Sequence, residues 1–116
     1  MKLLNAFSLA MLTFRPAEQS DVGKIPEHAT VKVCSIPLSH AKKLAKEGLE
    51  SFVGHADACT LYSEMLGTEV KFNRVSVKLE PGETALVGQY IGPRLAEGAT
   101  KLPEGAEVRW LLAEVG

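Results

Sequence analysis

His55 is the residue whose position in the sequence best suits it to chemistry. It follows Gly54, where the apolar segment 51–53 gives way to a predicted helix. A side chain at such a strand-to-helix turn lies beside free backbone N–H groups, which attract anions and most commonly phosphate. Since a histidine at a helix start is more often a cap or a packed ring, other residues must support a catalytic interpretation.

Two arginines could contact a phosphate bound near His55. Arg74 precedes the alternating apolar segment 75–79, and Arg94 lies in a Gly-Pro-Arg-Leu segment with Glu97 three residues later. Arginine offers planar donors to phosphate and stacks on bases. The alternative for Arg94 and Glu97 is a local ion pair, which would contribute roughly a few tenths of a kcal/mol.

Two polar residues, Asn5 and Ser8, interrupt an apolar N-terminal segment. They either cap the local backbone or line a pocket at the carboxyl end of the first strand. The remaining histidines, His28 and His40, lie in polar surroundings, and we expect both to be exposed. We expect the two cysteines, Cys34 and Cys59, to be buried free thiols.

Several classes of site have no signature in the chain. It contains no phosphate-binding P-loop, no G-x-G-x-x-G segment and no H-E-x-x-H segment. It also lacks a carboxylate cluster that would hold Mg²⁺ and a Cys/His cluster with zinc spacing. A phosphodiesterase built from these residues is therefore expected to work without a metal ion or other cofactor.

Length and charge narrow the function further. The 116 residues predict one domain, 1–116, and the net charge of −1 argues against a protein that coats long nucleic acid. Residues 1–12 have a basic residue before an apolar run, but no A-x-A cleavage site follows. No stretch approaches the length of a membrane span. We therefore expect a cytoplasmic protein that does not enter a membrane.

Two helices are predicted from spacing and capping residues. Ser39 suits the N-cap of a helix over 40–47 that Gly48 closes, with Lys42, Lys43 and Lys46 on a solvated face. A second helix opens at His55 and ends at Gly67. Its apolar stripe has i, i+3, i+4 and i+7 spacing and consists of Ala58, Leu61, Tyr62 and Met65.

Strand patterns account for most of the remaining chain. Alternation or apolar content predicts strands over 2–6, 29–36, 51–53, 75–79, 84–90 and 108–115. Pro81-Gly82 fits a type II turn that would join 75–79 and 84–90 as a hairpin, and Ser8 could cap a short helical turn through Met11. Residues 15–28 are predicted to form a loop. The expected fold is α/β, of the α+β mixed kind, with one mixed five- to six-stranded sheet packed by helices.

Short fragments occur in a fixed order along residues 3–12 and about 52–112. They are Asn5-Ala6-Phe7-Ser8 with Met11-Leu12, then Gly54-His55-Ala56, Leu66-Gly67, Asn73-Arg74-Val75, Gln89, Pro93-Arg94-Leu95 and Glu97-Gly98. Together they resemble the small ring-nuclease family best known from archaeal viruses. Members of that family act as anti-CRISPR proteins against type III systems, and cellular homologues exist.

The resemblance implies an activity and a set of roles. It implies cleavage of cyclic tetra-adenylate, the second messenger of type III CRISPR defence, by metal-independent attack of a ribose 2′-OH. His55 would be the general acid, Arg94 would stabilise the charge on the phosphorane-like transition state, and Glu97 would orient or charge-balance one of them. The resemblance also implies ligand-binding roles for Asn5, Ser8, Arg74 and Gln89.

The resemblance further implies a homodimer with the ring bound across its two-fold axis, since a symmetric ring suits an isologous interface. A helix N-terminus favours a neutral imidazole, so we expect His55 to become protonated mainly when ligand is bound. Two other functions remain open. One is a protein that sequesters a cyclic nucleotide without cleaving it, and the other is a host-interaction protein with no nucleotide ligand.

Overall fold

The computed structural model describes residues 1–14 and 28–116, which form one five-stranded mixed sheet with helices packed on it. The strands are β1 Lys2–Leu4, β2 Val31–Ile36, β3 Glu50–Ser51, β4 Thr84–Ile91 and β5 Glu107–Val115, in the sheet order β2-β5-β4-β1-β3. The α+β fold class predicted from the sequence is therefore confirmed. Residues 15–27 of the loop predicted over 15–28 lie outside the described residues.

Strand direction decides where a ligand site can form. β1 pairs in parallel with both β3 and β4, whereas β5 pairs antiparallel with β4 and β2. The carboxyl ends of β1, β3 and β4 therefore lie at the same edge of the sheet. In open α/β sheets this edge is where ligands bind.

The two helices, α1 Leu38–Glu47 and α2 Ala56–Leu66, cover one face of the sheet. Their apolar residues pack with Leu3, Leu86 and Trp110, which alternate along β1, β4 and β5 with residues of the opposite face. The predicted stripe of α2 is confirmed, because Leu61 and Tyr62 are fully buried. Gly67 ends α2 in the left-handed conformation, as predicted.

The predicted N-cap of α1 is wrong. The capping position is held by Pro37, and Ser39 lies inside the first turn of the helix. Proline suits this position because its φ is already restricted and the carbonyl of Pro37 accepts hydrogen bonds from the N–H groups of His40 and Ala41. The lysine-rich side of the helix is exposed, as predicted, at Lys42, Lys43 and Lys46.

Within the described residues, the opposite face of the sheet is covered by extended segments and a short 3₁₀ helix. Leu12 forms a parallel bridge with Leu79, and both pack with Leu4, Val87 and further apolar side chains of the sheet. The N-cap predicted for Ser8 is confirmed, since its Oγ accepts a hydrogen bond from the N–H of Ala10 at the start of a 3₁₀ helix over Leu9–Met11.

The predicted hairpin between 75–79 and 84–90 is wrong. The turn at Pro81-Gly82 does form, with φ of 94° at Gly82 and a hydrogen bond from the N–H of Glu83 to the carbonyl of Glu80. However, β4 pairs with β1 on one side and β5 on the other, so neither edge of β4 is open to residues 75–79. These residues cross the sheet face, and Leu79 makes their contact with the N-terminal segment.

The two cysteines are free, with Cys59 buried on α2 and Cys34 half-buried on β2. The predicted free state is therefore confirmed for both, and full burial only for Cys59. His28 and His40 are exposed, as expected. Among the described residues, no helix has the length and apolar character needed to cross a membrane.

Candidate functional site

A cavity of about 410 Å³ opens at the carboxyl ends of the parallel strands. Its volume lies in the lower part of the range of about 300–1,000 Å³ that is typical of small-molecule sites. The described residues that line it are Asn5, Ala6, His55, Ala58, Tyr62, Gln89, Tyr90, Gly92, Arg94 and Leu95.

The parallel pairing explains why distant parts of the sequence meet here. Asn5 directly follows β1, and His55 follows β3 through the short segment 52–54. Gln89 lies near the carboxyl end of β4, and Arg94 follows that strand. Four of the residues that the sequence nominated for the site therefore line one cavity.

His55 is the N-cap of α2. Its backbone is extended, with φ of −135° and ψ of 117°, and its Nδ1 accepts a hydrogen bond from the N–H of Ala58 at 3.4 Å. An Nδ1 that accepts must be unprotonated, so the proton of the neutral ring lies on Nε2. The ring is exposed and lines the cavity, which leaves Nε2–H available to a ligand.

The backbone before His55 is held by residues from two other parts of the chain. The N–H of Gly54 donates to Oδ1 of Asn5 at 3.3 Å. A Cβ at Gly54 would lie 3.0 Å from Cγ of Arg74 and 3.3 Å from its Cα. The absence of a side chain at Gly54 therefore makes room for this close approach between chain segments. Asn5 consequently both supports the turn and lines the cavity.

Three other nominated residues do not line the cavity. Ser8 caps the 3₁₀ helix and faces a separate groove, and Arg74 packs against Gly54 behind the turn. Glu97 is exposed on the loop after Arg94. Within the described part of the chain, Arg94 and Glu97 form no ion pair, so the local-pair alternative is wrong.

Sequence reasoning missed two tyrosines that line the cavity. Tyr62 was assigned only to the apolar stripe of α2, but its hydroxyl donates to the carbonyl of Gly88. Burial, with a smaller contribution from Cys59, raises the pKa of Tyr62 and keeps this hydroxyl protonated. Tyr90 donates to the carbonyl of Pro93. The sequence signal that could have identified Tyr90 was its position at a strand end, close to the Gly92-Pro93 segment.

The charge of the cavity suits an anion. Arg94 and His55 lie on its wall, and none of its described lining residues is acidic. No group of three His, Cys, Asp or Glu side chains in 1–14 and 28–116 is arranged to hold a metal ion. Arg94 and His55 are therefore placed to hold a phosphate through hydrogen bonds and charge.

A family model described as STIV B116-like matches residues 1–108. The chain belongs to the STIV B116-like family. The matched region contains every residue that the sequence nominated for the site, from Asn5 to Glu97. No curated protein matches the chain.

Among solved structures, the fold is similar to that of B116 of Sulfolobus turreted icosahedral virus. The TM-score is 0.69, the sequence identity is 23%, and the alignment covers 97% of each chain. At this identity the likeness establishes a shared fold. The STIV B116-like architecture therefore extends over nearly the whole chain, including the sheet edge that carries the cavity.

Proposed function

We propose that this protein is a ring nuclease that cleaves cyclic tetra-adenylate into two linear di-adenylates ending in 2′,3′-cyclic phosphates. The observation that carries the proposal is the cavity that combines Asn5, His55, Gln89 and Arg94 without an acidic lining residue. Proton donors and a guanidinium around one anion-sized space are the groups that cleavage by an internal 2′-OH requires. Disarming or resetting type III CRISPR defence in the cytoplasm would be its biological role.

The reaction needs no metal ion or cofactor. The ribose 2′-OH gives its proton to solvent as its oxygen attacks the adjacent phosphorus in line, the bond to the 5′-oxygen breaks, and no water is consumed. Nε2–H of His55 donates to the leaving 5′-oxygen, while Arg94 neutralises the charge that grows on the phosphoryl oxygens. Two such events on opposite sides of the ring release two equal halves.

Size and symmetry support a homodimer as the form that binds the ring. A cavity of about 410 Å³ holds only part of a four-nucleotide ring. Two copies related by a two-fold axis would present two His55–Arg94 pairs to opposite phosphates of one ring. Cyclic tetra-adenylate and a second copy of the chain are therefore the proposed partners.

The test is incubation of the pure protein, in EDTA, with cyclic tetra-adenylate and, separately, with the ring methylated at its 2′-oxygens. Mass spectrometry identifies the products. We expect di-adenylate with cyclic phosphate from the unmodified ring and no product from the methylated ring. Cleavage of the methylated ring would overturn the 2′-OH mechanism, and loss of activity in EDTA would overturn metal independence.

A second candidate function is sequestration of the ring without cleavage. It is favoured by one observation, that Glu97 is not among the residues lining the cavity around His55 and Arg94. Under sequestration the unmodified ring would bind and stay intact. If the ring neither binds nor breaks, and Arg94→Ala changes nothing about adenylate affinity, a host-interaction protein without a nucleotide ligand replaces both.

A further inference from the structure

The loop over 92–106 carries Arg94, which lines the cavity, and Glu97, to which the family resemblance gives an orienting or charge-balancing role. It joins β4 to β5 and is much longer than the turns that close ordinary hairpins. The base of the loop is tight, because a Cβ at Gly92 would lie 2.5 Å from Cβ of Ala106. Beyond that base the loop has no strand partner, so other contacts must set the distance of Arg94 and Glu97 from His55.

The first such contact is made by Tyr90. Its ring packs against the core beneath α2, and its hydroxyl donates to the carbonyl of Pro93. Pro93 directly precedes Arg94, so this hydrogen bond ties the backbone next to Arg94 to the carboxyl end of β4. Leu95 is half-buried against the same core and faces inward on the other side of Arg94.

The second contact is made by Asp57, in the first turn of α2. Its Oδ1 accepts a hydrogen bond from the N–H of Gly98 at 3.3 Å. Gly98 directly follows Glu97 and has φ of 73°, a left-handed turn that glycine adopts readily. Asp57 is two residues from His55, so this bond connects the Glu97 end of the loop to the helical turn that holds His55.

We propose that Tyr90 and Asp57 are positioning residues that hold the 92–106 loop at Pro93, next to Arg94, and at Gly98, next to Glu97. Tyr90 sets the backbone of Arg94, and Asp57 sets that of Glu97, both relative to His55. The inference rests on the proposed function, because the position of the loop matters for rate only if Arg94 acts on substrate and Glu97 orients or charge-balances Arg94 or His55. Misplacing a catalytic group by about 1 Å costs up to roughly 100-fold in rate.

The experiment compares kcat and KM for cyclic tetra-adenylate in the wild-type protein and in matched variants. Tyr90→Phe removes only the hydroxyl and keeps the ring against the core. Asp57→Ala removes the acceptor, whereas Asp57→Asn removes the charge but keeps an oxygen that can accept from Gly98. Glu64→Ala, an exposed acidic residue on the same helix, is the control. Hydrogen exchange of the Gly98 amide reports directly on its hydrogen bond to Asp57.

We expect Tyr90→Phe and Asp57→Ala each to lower kcat roughly 10- to 100-fold with little change in KM. Asp57→Asn should recover most of the lost rate, and Glu64→Ala should match the wild type. The Gly98 amide should exchange faster in Asp57→Ala than in Asp57→Asn. A merely helix-stabilising Asp57 would instead make Asn as harmful as Ala, because both remove the negative charge from the first turn.

The outcomes separate this inference from the proposed function. If the wild-type protein cleaves the ring and Tyr90→Phe and Asp57→Ala cleave it equally fast, the inference fails and the function stands. If the Gly98 amide exchanges at the same rate in all variants, the proposed role of the hydrogen bond between Asp57 and Gly98 is overturned, whatever the substrate. If the wild-type protein leaves the ring intact, the proposed function fails, and the two residues are overturned as positioning residues with it.

Discussion

The observed capping role of His55 and its proposed role as general acid compete for one nitrogen. As the N-cap of α2 it accepts a hydrogen bond from the N–H of Ala58 through Nδ1. As a general acid it is strongest when both ring nitrogens are protonated, and a protonated Nδ1 cannot accept. Full protonation therefore breaks the cap, and the anionic ligand must supply the compensating stabilisation.

We expect His55→Asn to separate capping from catalysis. Asparagine is among the best N-cap residues but has no proton to give to a leaving oxygen. The variant should unfold at the wild-type urea concentration, bind the ring, and cleave it roughly 10²–10⁴ times more slowly. His55→Ala should lose the same activity and, in addition, up to roughly 1 kcal/mol of unfolding free energy. Retained turnover in His55→Asn would exclude His55 as the acid.

The protonation of His55 should also change on binding. In the free protein, ¹⁵N spectra of the neutral ring should show its proton on Nε2, because Ala58 donates to Nδ1. With the 2′-O-methylated ring bound, both nitrogens should carry protons. A ring that stays neutral in the complex at pH 6 would count against the acid role.

At the scale of the elements, the floor of the cavity depends on a close approach between β4, β5 and α2. Gly88 lies opposite Trp110 in the antiparallel register, and the rings of Trp110 and Tyr62 meet edge to face at 5.1 Å between centroids. A Cβ at Gly88 would lie 2.8 Å from Trp110 and 2.9 Å from Tyr62. The absence of a side chain at Gly88 therefore lets the rings of Trp110 and Tyr62 pack closely against β4.

Gly88→Ala should consequently destabilise the fold. Replacing a strand glycine normally stabilises by reducing the freedom of the unfolded chain, but here the two buried rings cannot move away. We expect a loss of roughly 1–3 kcal/mol in unfolding free energy, measured by urea titration. The loss should be smaller in a Trp110→Phe background, where part of the indole is absent. Equal losses in both backgrounds would show that the indole contact is unimportant.

The pairing of β1 with β4 has its own electrostatic clamp. Lys2 lies at the start of β1, and its Nζ is 2.9 Å from Oε2 of Glu83, which directly precedes β4. The N–H of Glu80, and then Lys2, stabilise the carboxylate and lower the pKa of Glu83 below its ordinary value of 4.5. The clamp thus joins the amino ends of the two strands whose carboxyl ends carry the cavity.

The clamp should make part of the stability pH-dependent. Because the pKa of Glu83 is lowered on folding, its contribution is fully present above 4.5 and is lost as the pH falls through the folded value. Glu83→Gln should therefore be less stable than the wild type at pH 7, and the difference should vanish in strong acid. Urea midpoints across pH measure this. Glu104→Gln, an exposed control, should show no such difference.

At the scale of the whole molecule, the proposed homodimer determines the binding stoichiometry. Each chain contributes one cavity of about 410 Å³, which suits only part of a four-nucleotide ring. Calorimetry with the 2′-O-methylated ring should therefore give one ring per two chains, and light scattering should give the mass of a dimer. One ring per chain on a monomer would contradict the shared site.

The sequence by itself determined the features that depend on neighbouring residues. The helix that opens at His55 and ends at Gly67 follows from i, i+3 and i+4 spacing, and both termini are where the residue types predicted them. Strands β2 and β5 follow from short-range patterns in the same way. These signals act within a few residues, so no distant contact is needed to read them.

Only the tertiary structure decided the features that depend on partner choice. Residues 75–79 alternate like a strand but pack across the sheet, because β1 and β5 occupy both sides of β4. The same parallel pairing brings Asn5 and Gln89 to the cavity beside His55, and leaves Ser8 and Glu97 outside its lining. Pairing joins residues far apart in sequence, and its choice depends on which other strands compete, which no local pattern records.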